Sequence, residues 1–265
     1  MCITVSIHSK KDQFNSQTGV EIVHCAKFMT TSLTIVRYKK RFIPFAFFSM
    51  AIFHLPLWAR KISFYKLMGS GKNGTFDKTP DLQQWAIIAV HRDLHEFADE
   101  KPGNQLLYGK FIAKWWAFFN CETFTLFLEP LESHGSWNGK KAFGELPAKS
   151  GYEGPVAVLT RATIRINKLK YFWLNVAGVA NKMAGAKGFI TSFGIGEMPW
   201  IRQATFSIWQ SKEAMKAFAY GMKEHAEVIQ KTRKQRWYSE DMFTRFRIIS
   251  HTGTLRGKDP LAGMS

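Results

Sequence analysis

Apolar and polar positions alternate and recur in an order that repeats itself. In the first half, Ser32 to Tyr38 has the β-rich composition of a strand. Phe42 to Ala59 is a long apolar run, and Phe64 to Met68 and Gln84 to Val90 read as two further strands across the turn-rich stretch from Gly69 to Asp81. A helical pattern then runs from Arg92 to Phe119, interrupted at Pro102-Gly103, and Thr123 to Leu128 reads as a closing strand. In the second half, Val156 to Arg165 alternates strictly: Val156, Val158, Thr160, Ala162 and Ile164 on one face, Leu159, Arg161, Thr163 and Arg165 on the other. A helix is predicted over Lys168 to Ala184, then strands over Gly188 to Phe193 and Arg202 to Trp209. Ser211 caps a further helix, and Phe243 to Ile249 closes the unit.

Each half therefore reads strand, helix, strand, strand, helix, strand. Local echoes support a duplication. Phe124-Thr125-Leu126-Phe127 with Gly135, Gly139 and Lys140 matches Phe243-Thr244-Arg245-Phe246 with Gly253, Gly257 and Lys258, at a spacing of about 119 residues that slips by one. Gly69-Ser70-Gly71 and Gly194-Ile195-Gly196 end corresponding strands. The pattern predicts an α+β fold of two ferredoxin-like repeats in one chain, residues 29–143 and 155–265. Residues 144–154 would be the linker and residues 1–28 a polar extension or a misassigned start before Met29. Two such sheets facing each other form a barrel of the dimeric α/β type, with room expected between them for a large flat ligand.

Composition narrows the class. The chain has 265 residues, 46% of them apolar, with 23 phenylalanines, which excludes a disordered protein. Three scattered cysteines, Cys2, Cys25 and Cys121, make neither a disulfide framework nor a zinc cluster, and the expectation is a reducing compartment, the cytosol. A net charge of +17 suits phosphate, an anionic membrane surface or an acidic electron-transfer partner. No zinc finger, aromatic RNA-binding strand or helix-turn-helix accompanies it, so the reading is no nucleic acid. Phe42 to Ala59 has 18 residues between basic clusters; Pro44, His54 and Pro56 argue against a simple span, so the readings are, in order, a buried helix, an interfacial one and a true span.

The chemistry centres on one histidine. The last helix shows an apolar stripe of Ala214, Ala217, Phe218, Gly221, His225, Val228 and Ile229. An imidazole on such a face, one turn after a glycine that admits close approach, suits a haem iron ligand; a hydrogen-bonded core histidine is the alternative. Arg161 and Arg165, on one predicted strand face and roughly 13 Å apart, would meet propionates or a polar oxygen intermediate, or else water. Arg233 and Trp237 follow the His225 helix and could clamp an anionic rim, while Trp173, Phe206 and Trp209 could wall an apolar pocket. His91 and His95, four apart, lack a third clustered metal ligand. Cys121 reads as a buried hydrophobe.

Several blocks resemble one family. Phe64-Tyr65-Lys66-Leu67-Met68-Gly69-Ser70-Gly71, Ala157 to Arg165, Trp237 to Phe246, Thr252-Gly253-Thr254 and Gly257-Lys258-Asp259-Pro260-Leu261 are similar to stretches of the bacterial spheroidene monooxygenases. That resemblance implies a haem monooxygenase (haem b) acting on acyclic or partly cyclised carotenoids, inserting oxygen near an end group. On that reading molecular oxygen and electrons from a ferredoxin-type donor drive the reaction; the basic surface suits an acidic donor, and the Phe42–Ala59 helix suits peripheral contact with membrane and collection of substrate from lipid. By layout it also resembles the haem-binding dimeric α/β barrels, which implies His225 as the iron ligand. Another haem reaction on the same barrel, such as aldoxime dehydration, and non-catalytic haem carriage stay open.

Overall fold

The computed structural model describes residues 29–60, 62–72, 78–91, 103–221, 230–232 and 234–264. The first repeat runs β1 (Thr30–Arg37), α1 (Ile43–Ile52), α2 (His54–Ala59), β2 (Phe64–Gly71), β3 (Pro80–His91), α3 (Asn104–Tyr108), α4 (Lys110–Phe118) and β4 (Glu122–Gly135). The second runs β5 (Val156–Ile164), α5 (Leu169–Met183), β6 (Phe189–Met198), β7 (Arg202–Trp209), α6 (Lys212–Gly221) and β8 (Tyr238–Gly253). Each gives an antiparallel sheet with its first strand between its third and fourth, and the two sheets join into a closed barrel in the order β1-β3-β2-β6-β7-β5-β8-β4. The expected repeats and their α+β character are both present.

The two seams between repeats differ. At β2–β6 only Gly69 with Gly196 and Ser70 with Ile195 pair, and Ser70 Oγ donates to the Gly194 carbonyl at 2.9 Å. The twin glycine motifs thus mark the narrow seam. The β4–β8 seam is long, from Phe124 against Gly253 to Gly135 against Met242, with two bulges, one of them at Pro130. A buried ion pair between Arg245 and Glu132 crosses it. This pairing extends β4 and β8 well beyond the predicted Thr123–Leu128 and Phe243–Ile249, because a partner distant in the sequence satisfies the backbone where local alternation fades.

Along each strand one set of side chains enters the barrel and the other faces the helices. Leu33, Ile35, Ile88, Phe124, Leu126, Leu159, Phe193, Phe206 and Phe246 fill the interior. Trp137 and Phe143, beyond β4, and Leu261, beyond β8, pack into the same cluster. Because β4 and β8 are antiparallel, these segments enter from opposite ends. The interior is therefore solid with side chains, which corrects the expectation of a ligand space between the facing sheets.

Outside the barrel, the first repeat packs its helices in one cluster: Ala46, Phe53, Leu57, Leu107, Tyr108, Ile112 and Trp116 against Val36, Ile87, Ala89 and Phe127. Its second helical region, described from Gly103 onward, breaks at Gly109, with φ of +92°; the predicted helical stretch from Arg92 to Pro102 lies outside the described residues. The second repeat packs differently, and this asymmetry locates the site.

Candidate functional site

Strand β5 has Val156 and Val158 at one end of its helix-facing side and Ile164 at the other. Val156 and Val158 pack with Trp209 and with Met215 and Phe218 of α6. Ile164 packs with Phe172, Trp173 and Trp237. Among the described residues these are two separate clusters. Between them, one row across β6, β7, β5 and β8 reads Gly194, Thr205, Thr160 and Phe243. Thr160 is exposed although it sits mid-strand beneath the helix layer, and Thr205 Oγ1 is buried without a hydrogen-bond partner. The corresponding row of the first repeat reads Leu67, Ile87, Thr34 and Thr125. There the threonines are used: Thr34 Oγ1 lies 2.8 Å from Thr125 Oγ1 and 2.7 Å from the Tyr108 hydroxyl. The second repeat thus offers three small side chains in this row, Gly194, Thr205 and Thr160, beside Phe243, with an unmet polar atom and with aromatic clusters on either side.

The predicted residues distribute around this row unevenly. Gly221, the last described residue of α6, is exposed, and a Cβ added there would meet nothing within 4 Å. The buried stripe of α6 passes through Met215 and Phe218, while Ala217 and Gly221 are exposed, so the helix is rotated from the predicted stripe. His225 and Arg233 lie outside the described residues. Trp237 and Trp173 are buried together at the α5 end; the Trp237 indole donates to Gln235 Oε1 at 2.8 Å and that of Trp173 to the Trp200 carbonyl at 3.3 Å. Phe206 points into the barrel, Trp209 into the α6 cluster. The expectation that Trp173, Phe206 and Trp209 wall one pocket is thereby corrected: strand alternation puts Phe206 on the opposite face of the sheet from the other two.

The two arginines also separate. Strand β5 stops at Ile164, and Arg165 turns into a 3-10 turn, exposed, its Nε donating to the Tyr238 carbonyl at 3.2 Å. Arg161 is 1% exposed and lies on the barrel side, across the sheet from α6. Its guanidinium pairs with Glu240, reaches Glu197 Oε2 and Asn138 Oδ1 at 3.3 Å each, and stacks 5.5 Å from the Trp137 ring centroid. Glu197 is held in turn by Lys66 at 2.8 Å and by the Trp137 indole at 2.9 Å. The expected shared face for Arg161 and Arg165 is corrected, and so is the expectation that Arg161 awaits an anion: two carboxylates already meet its charge. Burial raises the Glu240 carboxyl pKa, but hydrogen bonds from the Gly139 N–H, Arg161 and Ser136 outweigh it and bring the value down to about 2. Glu197 is also held low, with Lys66, Trp137 and Arg161 overcoming burial.

The strand alternation flagged Arg161, but Glu197, Glu240, Lys66 and Trp137 carried no local signal, since they converge from other strands and a loop. On the first repeat, His91 is buried and lies 2.9 Å from Ser32 Oγ, and Ser32 Oγ lies 3.0 Å from the Tyr108 hydroxyl. Burial, with Arg60 nearby, pulls the His91 pKa down to about 4. His95 lies outside the described residues. Burial pushes the Cys121 thiol up to about 12, the behaviour of an inert side chain.

No protein-family model matches the chain. The sequence is 36% identical over 203 residues to the spheroidene monooxygenase of Rhodobacter capsulatus, covering 76% of this chain and 82% of that one. Identity to the spheroidene monooxygenase of Rubrivivax gelatinosus is 32% over 196 residues, covering 74% and 72%. Among solved structures, an aldoxime dehydratase bound to butyraldoxime superposes with a TM-score of 0.53 at 8% identity, over 83% of this chain and 79% of that one. A second aldoxime dehydratase gives 0.51 at 8%, over 83% and 81%. These structural likenesses establish a shared fold.

Proposed function

Since this chain belongs to the spheroidene monooxygenase family, we propose that it is a haem-dependent monooxygenase of a carotenoid, with its haem in the helix layer of the second repeat. The observation that carries the reading is the floor of Gly194, Thr205 and Thr160, with its exposed mid-strand threonine and unpartnered Thr205 hydroxyl. In this reading His225, four residues after Gly221 in the sequence, is the iron ligand, and the exposed Arg165 and the segment carrying Arg233 and Trp237 meet the propionates. When bound, haem b supplies the chemistry of dioxygen activation.

The chain's own residues do the rest. Phe172, Trp173 and Trp237 on one side and Trp209 and Phe218 on the other keep the layer apolar and exclude water from an oxidising centre. Thr205 Oγ1, a donor with no protein acceptor, can hydrogen-bond a polar atom there. Arg161 acts from across the sheet by fixing the ends of β5, β6 and β8 through Glu197 and Glu240. The overall step inserts one oxygen atom into a C–H bond of the polyene's end region and reduces the other to water. It consumes one dioxygen, two electrons and two protons. The electrons would come from an acidic ferredoxin-type donor, for which exposed Lys170, Lys216, Lys231, Lys234 and Arg236 give a basic docking face.

Heavy-isotope dioxygen tests this directly. Incubated with acyclic carotenoid, haem and a reducing system, the protein is expected to place labelled oxygen in the product and to stop without air. Turnover of an aldoxime under anaerobic, reduced conditions with no carotenoid oxidation would replace this reading with the dehydratase one.

A further inference from the structure

The helices of the first repeat bury one side and leave the other strongly apolar. Ala46, Ser49, Phe53 and Leu57 of the α1–α2 region and Ile112 and Trp116 of α4 pack inward. Outward stand Phe45, Phe47, Phe48, Leu55 and Trp58, with Phe111 and Phe118 of α4 beside them; Leu55, Trp58 and Phe118 are 73%, 78% and 82% exposed. Phe45, Phe48, Phe111, Trp115 and Phe118 wall an open groove between α1 and α4, with Lys114 at its edge. A contiguous aromatic surface of this kind marks an interaction site.

The charge around it identifies the partner. Residues 38–72 and 103–121 contain no aspartate or glutamate. Lys39, Lys40 and Arg41 precede α1, Arg60 follows α2, and Lys110 and Lys114 lie on α4, all of them exposed. A second copy docked by the same face would bring these cations against each other. A bilayer with anionic headgroups satisfies both features at once, aromatic side chains entering the acyl boundary and cations meeting phosphates.

By length and composition the stretch Lys40–Ala59 could cross a membrane. Its inward side, however, is committed to the β-sheet, and the helix is interrupted at Phe53. We infer that the α1–α2 and α4 face is an interfacial docking surface that lays the first repeat flat on an anionic phospholipid membrane.

Flotation of the full chain with vesicles tests the inference. Vesicles of about 7:3 phosphatidylcholine to phosphatidylglycerol are expected to carry the protein, pure phosphatidylcholine vesicles far less. The double change Trp58→Glu with Phe118→Glu, at two of the most exposed positions, is expected to weaken binding at least roughly tenfold while leaving the circular dichroism spectrum unchanged. Lys40→Glu with Lys114→Glu is expected to abolish the preference for anionic lipid. Failure of the wild type to bind, or equal binding by the Trp58/Phe118 variant, would overturn the inference. So would a wild-type dimer that this variant dissociates, which would assign the face to a second copy.

Discussion

Arg161 illustrates how one residue's setting changes its meaning. At the corresponding barrel position of the first repeat stands Ile35: Ile35 pairs with Ala86 and Phe124 as Arg161 pairs with Ala204 and Met242. The fold accepts an aliphatic there, so the charge is an addition peculiar to the second repeat. Removing it leaves Glu240 without its cation and Glu197 with Lys66 alone, both carboxylates packed close together. Arg161→Ala is expected to cost about 3–5 kcal/mol, read from urea denaturation; Arg161→Met, which restores apolar volume, is expected to cost less but leaves Glu240 and Glu197 in mutual repulsion. An alanine variant as stable as wild type would show that water, and not the protein, holds the charge.

His91 sets the acid limb of stability. Its pKa falls from the ordinary 6.5 to about 4 on folding, so between those values the unfolded chain binds the extra proton and stability decreases as pH drops. The loss is on the order of 3 kcal/mol by pH 4. Below that, Glu240, whose folded value of about 2 lies under that of a free carboxyl, adds a second loss as pH continues to fall. A His91→Asn variant is expected to be less stable at neutral pH yet flatter between pH 7 and 4, measured by denaturation at each pH. Strand alternation singled out Arg161, but its burial, the burial of His91 and the partners of both were not legible, because Glu240, Glu197 and Ser32 reach them only once the sheet is assembled.

At the scale of elements, the closing strands β4 and β8 hold the two repeats together. Gly135 and Gly253 occupy equivalent places, with φ of +81° and +87°, and a Cβ on either would collide with the facing backbone, the Asp241 carbonyl in one case and that of Thr123 in the other. Gly139 has a similar φ of +70° but open space around it. Gly139→Ala is therefore expected to cost only the conformational strain, about 1–2 kcal/mol, and Gly135→Ala distinctly more, since the strand must also shift. Equal thermal midpoints for the two variants would contradict this.

The glycine echo was the clearest sign of duplication in the sequence, and its physical basis is here: both turns after these strands are alike, with Glu240 capping the Gly139 N–H and Glu122 capping the Gly257 N–H. The full lengths of β4 and β8 were hidden, since the bulges break alternation where the strands pair with each other. The stripe of α6 was misjudged by roughly one position, because Ala and Gly satisfy an apolar pattern without needing burial.

For the whole molecule, the two repeats share a barrel and diverge outside it. The first repeat closes its helix layer over bonded threonines and turns aromatic side chains outward; the second leaves a floor of small residues beneath its helices. The barrel and its order of elements follow from the repeated pattern. The filled interior does not, because Trp137, Phe143 and Leu261 come from segments with no periodic signal. Absorption spectroscopy on the full chain titrated with haem, alongside His225→Ala and Thr160→Trp, tests the central claim most directly. One haem per chain is expected, with a histidine-type carbon monoxide complex in the wild type. That spectrum should be lost in His225→Ala, and Thr160→Trp, which fills the floor, should weaken binding without unfolding the protein. Haem bound with an unchanged spectrum in both variants, or not bound by the wild type, would contradict the account.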